Sequence, residues 1–122
     1  MVFFWLCGPV SPFQILLNEA NHLFYDKREF HLALEKYQEC LTLLDFENPS
    51  AQISQSNIDR YVIPCLFGAA QCSVEVKQYY KAQKFCQEVL KLRSSHSKAK
   101  QLHGICCVQL GDYKSAMKAM KN

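Results

Sequence analysis

Residues 109–116 read QLGDYKSA, and residues 75–82 read EVKQYYKA. Each ends on an aromatic residue, two further residues and an alanine, and Ala82 and Ala116 stand 34 residues apart. A third copy, KREFHLA, closes on Ala33. Aligned on those alanines, Phe30, Tyr79 and Tyr113 form an aromatic column three residues earlier. In the last two copies a small residue, Ala70 or Gly104, stands twelve residues before the alanine. Self-similarity at this period is the mark of a repeat built from a pair of antiparallel helices. An alanine at a fixed place marks where the two helices approach closely, because a larger side chain would overpack the contact. Gly111 suits the turn between them, and Tyr113 is expected to lie over it.

The second helix of each pair is legible as a stripe. LALEKYQECLTLL puts Leu34, Tyr37, Leu41 and Leu44 on one face, and KAQKFCQEVLKL does the same with Ala82, Phe85, Val89 and Leu92. Such spacing signals an amphipathic helix, and so a core. Between Ala33 and Ala82 lie 49 residues, 15 more than the period. The surplus falls on DFENPSAQISQSNID (45–59), rich in Asn, Ser and Asp. It reads as a loop with an early-starting next helix, which would place Pro64 in that helix's first turn, where a missing N–H costs little.

A 34-residue helix pair with these columns resembles the tetratricopeptide repeat (TPR). The expected fold is an all-α TPR helix-turn-helix array of three repeats, the last truncated, wound as a right-handed superhelix. Residues 1–13 form an apolar, flexible N-terminal segment in this reading, and 14–122 the TPR domain. Repeat 1 spans about 14–46, the insertion about 47–60, repeat 2 about 61–96 and repeat 3 about 97–122. EANHLF (19–24), IPCLFGAAQC (63–72), YYKAQKFCQEVL (79–90) and SKAKQLHG (97–104), together with the long insertion after the first repeat, are similar to the TPR domain of FKBP-type immunophilins. They look closest to the aryl hydrocarbon receptor-interacting protein class. The isomerase domain of immunophilins precedes their TPR region, and only about thirteen residues precede the repeats here.

That resemblance implies a co-chaperone-like role. Members bind acidic chaperone tails through a five-residue carboxylate clamp on the first helices of the three repeats. The first-helix Asn corresponds to Asn21 if the following turn is one residue longer than usual, and to His22 by strict counting. The first-helix Lys corresponds to Leu17 or Asn18, and the second-helix Asn to Gly68. On the third helix Lys98 matches the Lys, and Leu102 stands for the Arg. Charge-assisted hydrogen bonds hold a carboxylate best, and most of those donors are missing here. The expected groove residues are Asn21, Phe67, Gln71, Val74, Lys98, Leu102, Ile105 and Val108. This surface is more apolar than a clamp and suits an amphipathic helix or apolar peptide.

The remaining composition excludes rather than assigns. With 49% hydrophobic and 20% charged residues in 122, the chain is globular and sized for one domain. From Glu19 to Arg60 it carries a net charge of −4, and from Tyr61 to Asn122 one of +7. The basic half reads as a solvated helix face. An RNA-binding module is a weaker alternative, because its aromatics sit mostly at repeat core positions rather than exposed for stacking. Seven cysteines without a CxxC pair read as buried free thiols, not a disulfide framework. In HGICC (103–107), His103 with Cys106 or Cys107 offers two metal ligands where structural zinc needs four. No cofactor, metal, catalytic motif, nucleic acid or membrane partner is expected, and the localisation expected is cytoplasmic. The alternative to an adaptor is a structural protein self-associating through an uncovered C-terminal end. VFFWL (2–6) is too short to cross a membrane, and Trp5 is expected to be buried against the first repeat, the groove or a second copy.

Overall fold

The computed structural model describes residues 12–44 and 58–111. Ala116 and Tyr113, the second helix of repeat 3, most of the insertion, and Trp5 lie outside the described residues. Helix α1 (Pro12–Asn21) opens on a proline whose fixed φ suits a helix start. It buries Leu16, Leu17 and Ala20, at helical spacing. Pro12 and Phe13, expected in the N-terminal segment, are therefore part of the first helix, and the Phe13 ring packs 5.5 Å from that of Tyr61.

The end of α1 widens into a π-helical turn, His22–Asp26, before the chain reverses into α2 (Phe30–Leu43). A π turn takes up one residue more than an α turn. The reversal shows that extra residue: the Glu29 amide bonds the Leu23 carbonyl at 2.8 Å, six residues back. The corresponding turn between α3 (Ile63–Glu75) and α4 (Tyr79–Leu92) closes five residues back, Gln78 to Ser73 at 2.7 Å. There Lys77 also bonds Val74 at 3.0 Å, which makes a Schellman motif. Helix α5 (Ser97–Gln109) ends with the matching bond from Gly111 to Val108, at 3.0 Å. Arg28, Lys77 and Gly111 hold φ of 54°, 64° and 82°, so each hairpin turns through a left-handed residue at the same place.

A second π-helical turn, Ile58–Val62, runs straight into α3. The helix before Pro64 thus starts by Ile58, inside the expected insertion. Pro64 is the second residue of α3, but six residues into the helical run. Without an N–H it cannot close an α-helical bond, and a widened turn upstream accommodates it. Asp59 in this turn is ion-paired with Arg93, just past the end of α4.

Each helix packs on the next, α1 on α2, α2 on α3, α3 on α4 and α4 on α5, and α3 also reaches α5. The alanine column lies in these contacts: Ala33 and Ala82 have no exposed surface. Ala70 and Gly104 are likewise buried. Leu34, Tyr37, Leu44 and Val89 from the two stripes are buried, while Leu41, Phe85 and Leu92 pack against the core half-covered. No strand occurs among the described residues.

Candidate peptide-binding face

The inner face is decided around Tyr37. From α2 its ring lies flat against Gly68 of α3: a Cβ built on Gly68 would fall within 2.8 Å of three ring atoms. The ring is 1% exposed, and its hydroxyl donates to Oδ1 of Asn21 at 2.5 Å. Burial holds the phenol's pKa above its ordinary value, so the hydroxyl stays protonated and donates. Asn21 thus has its acceptor engaged by Tyr37 at the end of α1. The space a side chain would occupy at Gly68 is filled by an aromatic ring. Periodicity placed Tyr37 on the core stripe but could not show which glycine it covers.

The neighbouring candidate, His22, is exposed and places Nδ1 2.7 Å from Oδ2 of Asp26 within the π turn. The widened turn is the one-residue lengthening on which a correspondence through Asn21, rather than His22, depends.

On α3, Phe67, Gln71 and Val74 are half-buried. Phe67 is shared between face and core, since it packs on the core cluster and its ring centroid lies 5.2 Å from that of His96. His96 itself caps α5: its Nδ1 accepts from the Ala99 amide at 3.1 Å. Burial lowers its pKa, with Arg93 and Lys98 adding to the effect. A histidine three residues ahead of Ala99 was the available signal, but histidine is not among the common caps. On α5, Lys98 is exposed, Leu102 half-buried, and Ile105 and Val108 are 42% and 38% exposed. These four lie along one side of α5, opposite the buried Ala99, Gly104, Cys106 and Cys107. Contact between α3 and α5 brings the two sets onto adjoining helices.

The cysteines serve the packing. The six described ones are free and buried. Cys40 of α2 donates to the Phe13 carbonyl at 3.6 Å, and it neighbours Cys65 of α3 as Cys106 of α5 neighbours Cys86 of α4. In each pair the contact, then burial, pushes one thiol up, Cys65 in the first and Cys86 in the second. Cys72 is raised to about 12, chiefly by burial. Cys107 lies 3.8 Å from Nδ1 of His103 and accepts from Nε2 of Gln83 at 3.3 Å. Among the described residues no group of three His, Cys, Asp or Glu is placed to hold a metal ion, and no helix is long and apolar enough to cross a membrane. Tyr79 and Phe85 are half-buried, whereas Tyr80 is 62% exposed, with the Lys84 ammonium 4.8 Å from its ring centroid.

Two described helix pairs, each turning through a left-handed residue and packed through a buried alanine, Ala33 or Ala82, followed by the first helix of a third, are the architecture of a tetratricopeptide-repeat protein. Residues 51–122 match the family model described as anaphase-promoting complex, cyclosome, subunit 3, a TPR-type model, and the chain belongs to that family. Among solved structures it is similar to the C-terminal TPR-containing domain of an FK506-binding protein of Plasmodium falciparum. That match has a TM-score of 0.76 and 27% identity, and covers 88% of this chain and 71% of that one. The chain is thus an all-α TPR array resembling the FKBP immunophilins, and the fold is that of a protein–protein interaction module. Arrays of this kind are typically non-catalytic scaffolds.

Proposed function

We propose that the chain is a non-catalytic, co-chaperone-like adaptor that works in the cytoplasm and holds an amphipathic helix, not an acidic tail, against α3 and α5. One observation carries this reading: the Tyr37 ring fills the space beside Gly68 where the family's clamp has an asparagine side chain. Three of the clamp's five places then lack the matching donor. Leu102 stands where an arginine would be needed, and Lys98 remains as a lone exposed cation. A carboxylate brought here would lose water for one charged partner, an unfavourable exchange. An apolar helix side would instead cover Leu102, Ile105 and Val108, with anchors at helical spacing. The likeness to an FK506-binding protein's TPR domain supports the chaperone-related side of the reading.

Two titrations test it. By calorimetry, a peptide ending in EEVD gives no measurable heat at micromolar concentrations. A phage-displayed library of amphipathic helices, panned on the wild-type chain, yields binders that Ile105→Glu and Leu102→Glu no longer retain. Low-micromolar binding of the EEVD peptide, lost on Lys98→Ala, would restore the clamp and overturn the proposal.

A further inference from the structure

Helices α2 and α4 both pack on α3 and flank it. Both α2 and α4 are second helices of their hairpins, and each shows solvent a continuous stripe. On α2 the stripe is Leu32, Glu35, Glu39 and Leu43, with Leu32 48% and Leu43 52% exposed. On α4 it is Tyr80, Lys84, Gln87 and Lys91, all exposed. Both follow helical spacing, so each is one face. Their charges are opposite. Within α2, Glu35 and Glu39 stand with one cation, Lys36, which lies 3.6 Å from Glu39 and 3.4 Å from Glu19 of α1. Glu35 makes no ion pair among the described residues. Within α4, Lys81, Lys84 and Lys91 stand with one acid, Glu88, which Lys91 engages at 3.1 Å. The heights match too: Glu35 stands two residues beyond Ala33, and Lys84 two beyond Ala82.

We propose that this face pairs with a second copy of the chain, α2 of one copy over α4 of the other, twice. A two-fold axis running along the helices between α2 and α4 produces that arrangement, because it exchanges left and right across the face. Each copy then offers the same patch, as an isologous interface requires. Glu35 meets Lys84 of the second copy at equal height in both halves, and Leu32, Leu43 and Tyr80 are covered. Opposite potentials on the two halves speed the encounter and set the register, while a face-to-face docking of like helices is repelled. An unrelated acidic or basic partner would satisfy one half and oppose the other.

Sedimentation equilibrium with charge reversals tests the pairing, with circular dichroism confirming that each variant folds. At about 0.01 M salt, where the Debye length is about 30 Å, the chain forms a dimer, and raising salt to about 1 M weakens it about tenfold or more. Glu35→Lys with Glu39→Lys weakens the dimer about tenfold or more, and so does Lys81→Glu with Lys84→Glu. Mixing the two doubly substituted chains restores association, because each half of the mixed dimer regains an opposite pair. A monomer under all conditions overturns the proposal. So does a dimer indifferent to both reversals, or a mixture that fails to associate.

Discussion

A methyl group added at Gly68 would fall against the Tyr37 ring. Alanine favours helices by about 1 kcal/mol over glycine, but overpacking costs about 1–3 kcal/mol. Gly68→Ala is therefore expected to lose up to about 2 kcal/mol in a denaturant titration. In a Tyr37→Ala background the same change becomes neutral or stabilising. Equal losses in both backgrounds would mean that the ring is not what excludes the side chain. His96 makes the second case at this scale. Its folded pKa lies below the ordinary value, first because of burial. The neutral ring is thus favoured in the folded chain. The stability it contributes is complete above about pH 6.5 and is lost as pH falls through the lowered folded value. His96→Asn keeps a capping acceptor that does not titrate. Melting temperatures followed from about pH 8 down to 5 should fall less for the variant than for the wild type; parallel curves would remove His96 from the account.

Among elements, the turns and the helix contacts are separable. Lys77 is held at φ 64°. A left-handed residue other than glycine costs about 1–2 kcal/mol, and glycine's extra freedom in the unfolded chain returns about 0.5–1 kcal/mol of that. Lys77→Gly is expected to raise stability by about 0.5–1 kcal/mol by the same titration, whereas a loss would mean that the lysine side chain matters more than its backbone. Arg28→Gly should gain less, because the guanidinium lies 5.1 Å from the Phe30 ring centroid and that contact is forfeited. At the helix contact, Ala82 has no exposed surface. Ala82→Leu should cost about 1–3 kcal/mol, and an unchanged thermal melt would place the residue outside the contact between α3 and α4.

For the whole molecule, the buried thiols report opening. Cys40, Cys65, Cys72, Cys86, Cys106 and Cys107 are covered in the folded array. A covered thiol is out of a reagent's reach, and a raised pKa makes Cys65, Cys72 and Cys86 poorer nucleophiles as well. In a Cys7→Ser chain, an aromatic disulfide reagent should react only as the array opens, and the labelling rate should rise with denaturant along the unfolding transition. Fast labelling without denaturant would show a helix pair opening alone, as stacked repeats are able to do.

The repeat itself was legible because its period, its alanine column and its stripes are local: each sits within one helix pair, where 3.6 residues per turn decides which side chains share a face. That Gly68 and Leu102 offer no side-chain donor was legible for the same reason, once the register was set. Three things were not. The Tyr37 ring over Gly68, with its hydroxyl on Asn21, joins three different helices, and no periodicity links residues 16 and 31 apart in the chain. The π turn after Asn21 leaves no composition of its own, because one extra residue is absorbed by widening a helical turn and shows in the bonds from Lys27 to His22 and from Glu29 to Leu23. His96 became a cap because packing against Phe67 buries the ring beside the Ala99 amide. The sequence by itself determined that this chain is a stack of helix pairs and which faces it buries. What lines the inner face was decided only when the helices met, because a side chain's partner across an interface depends on helix spacing, and close packing sets that spacing.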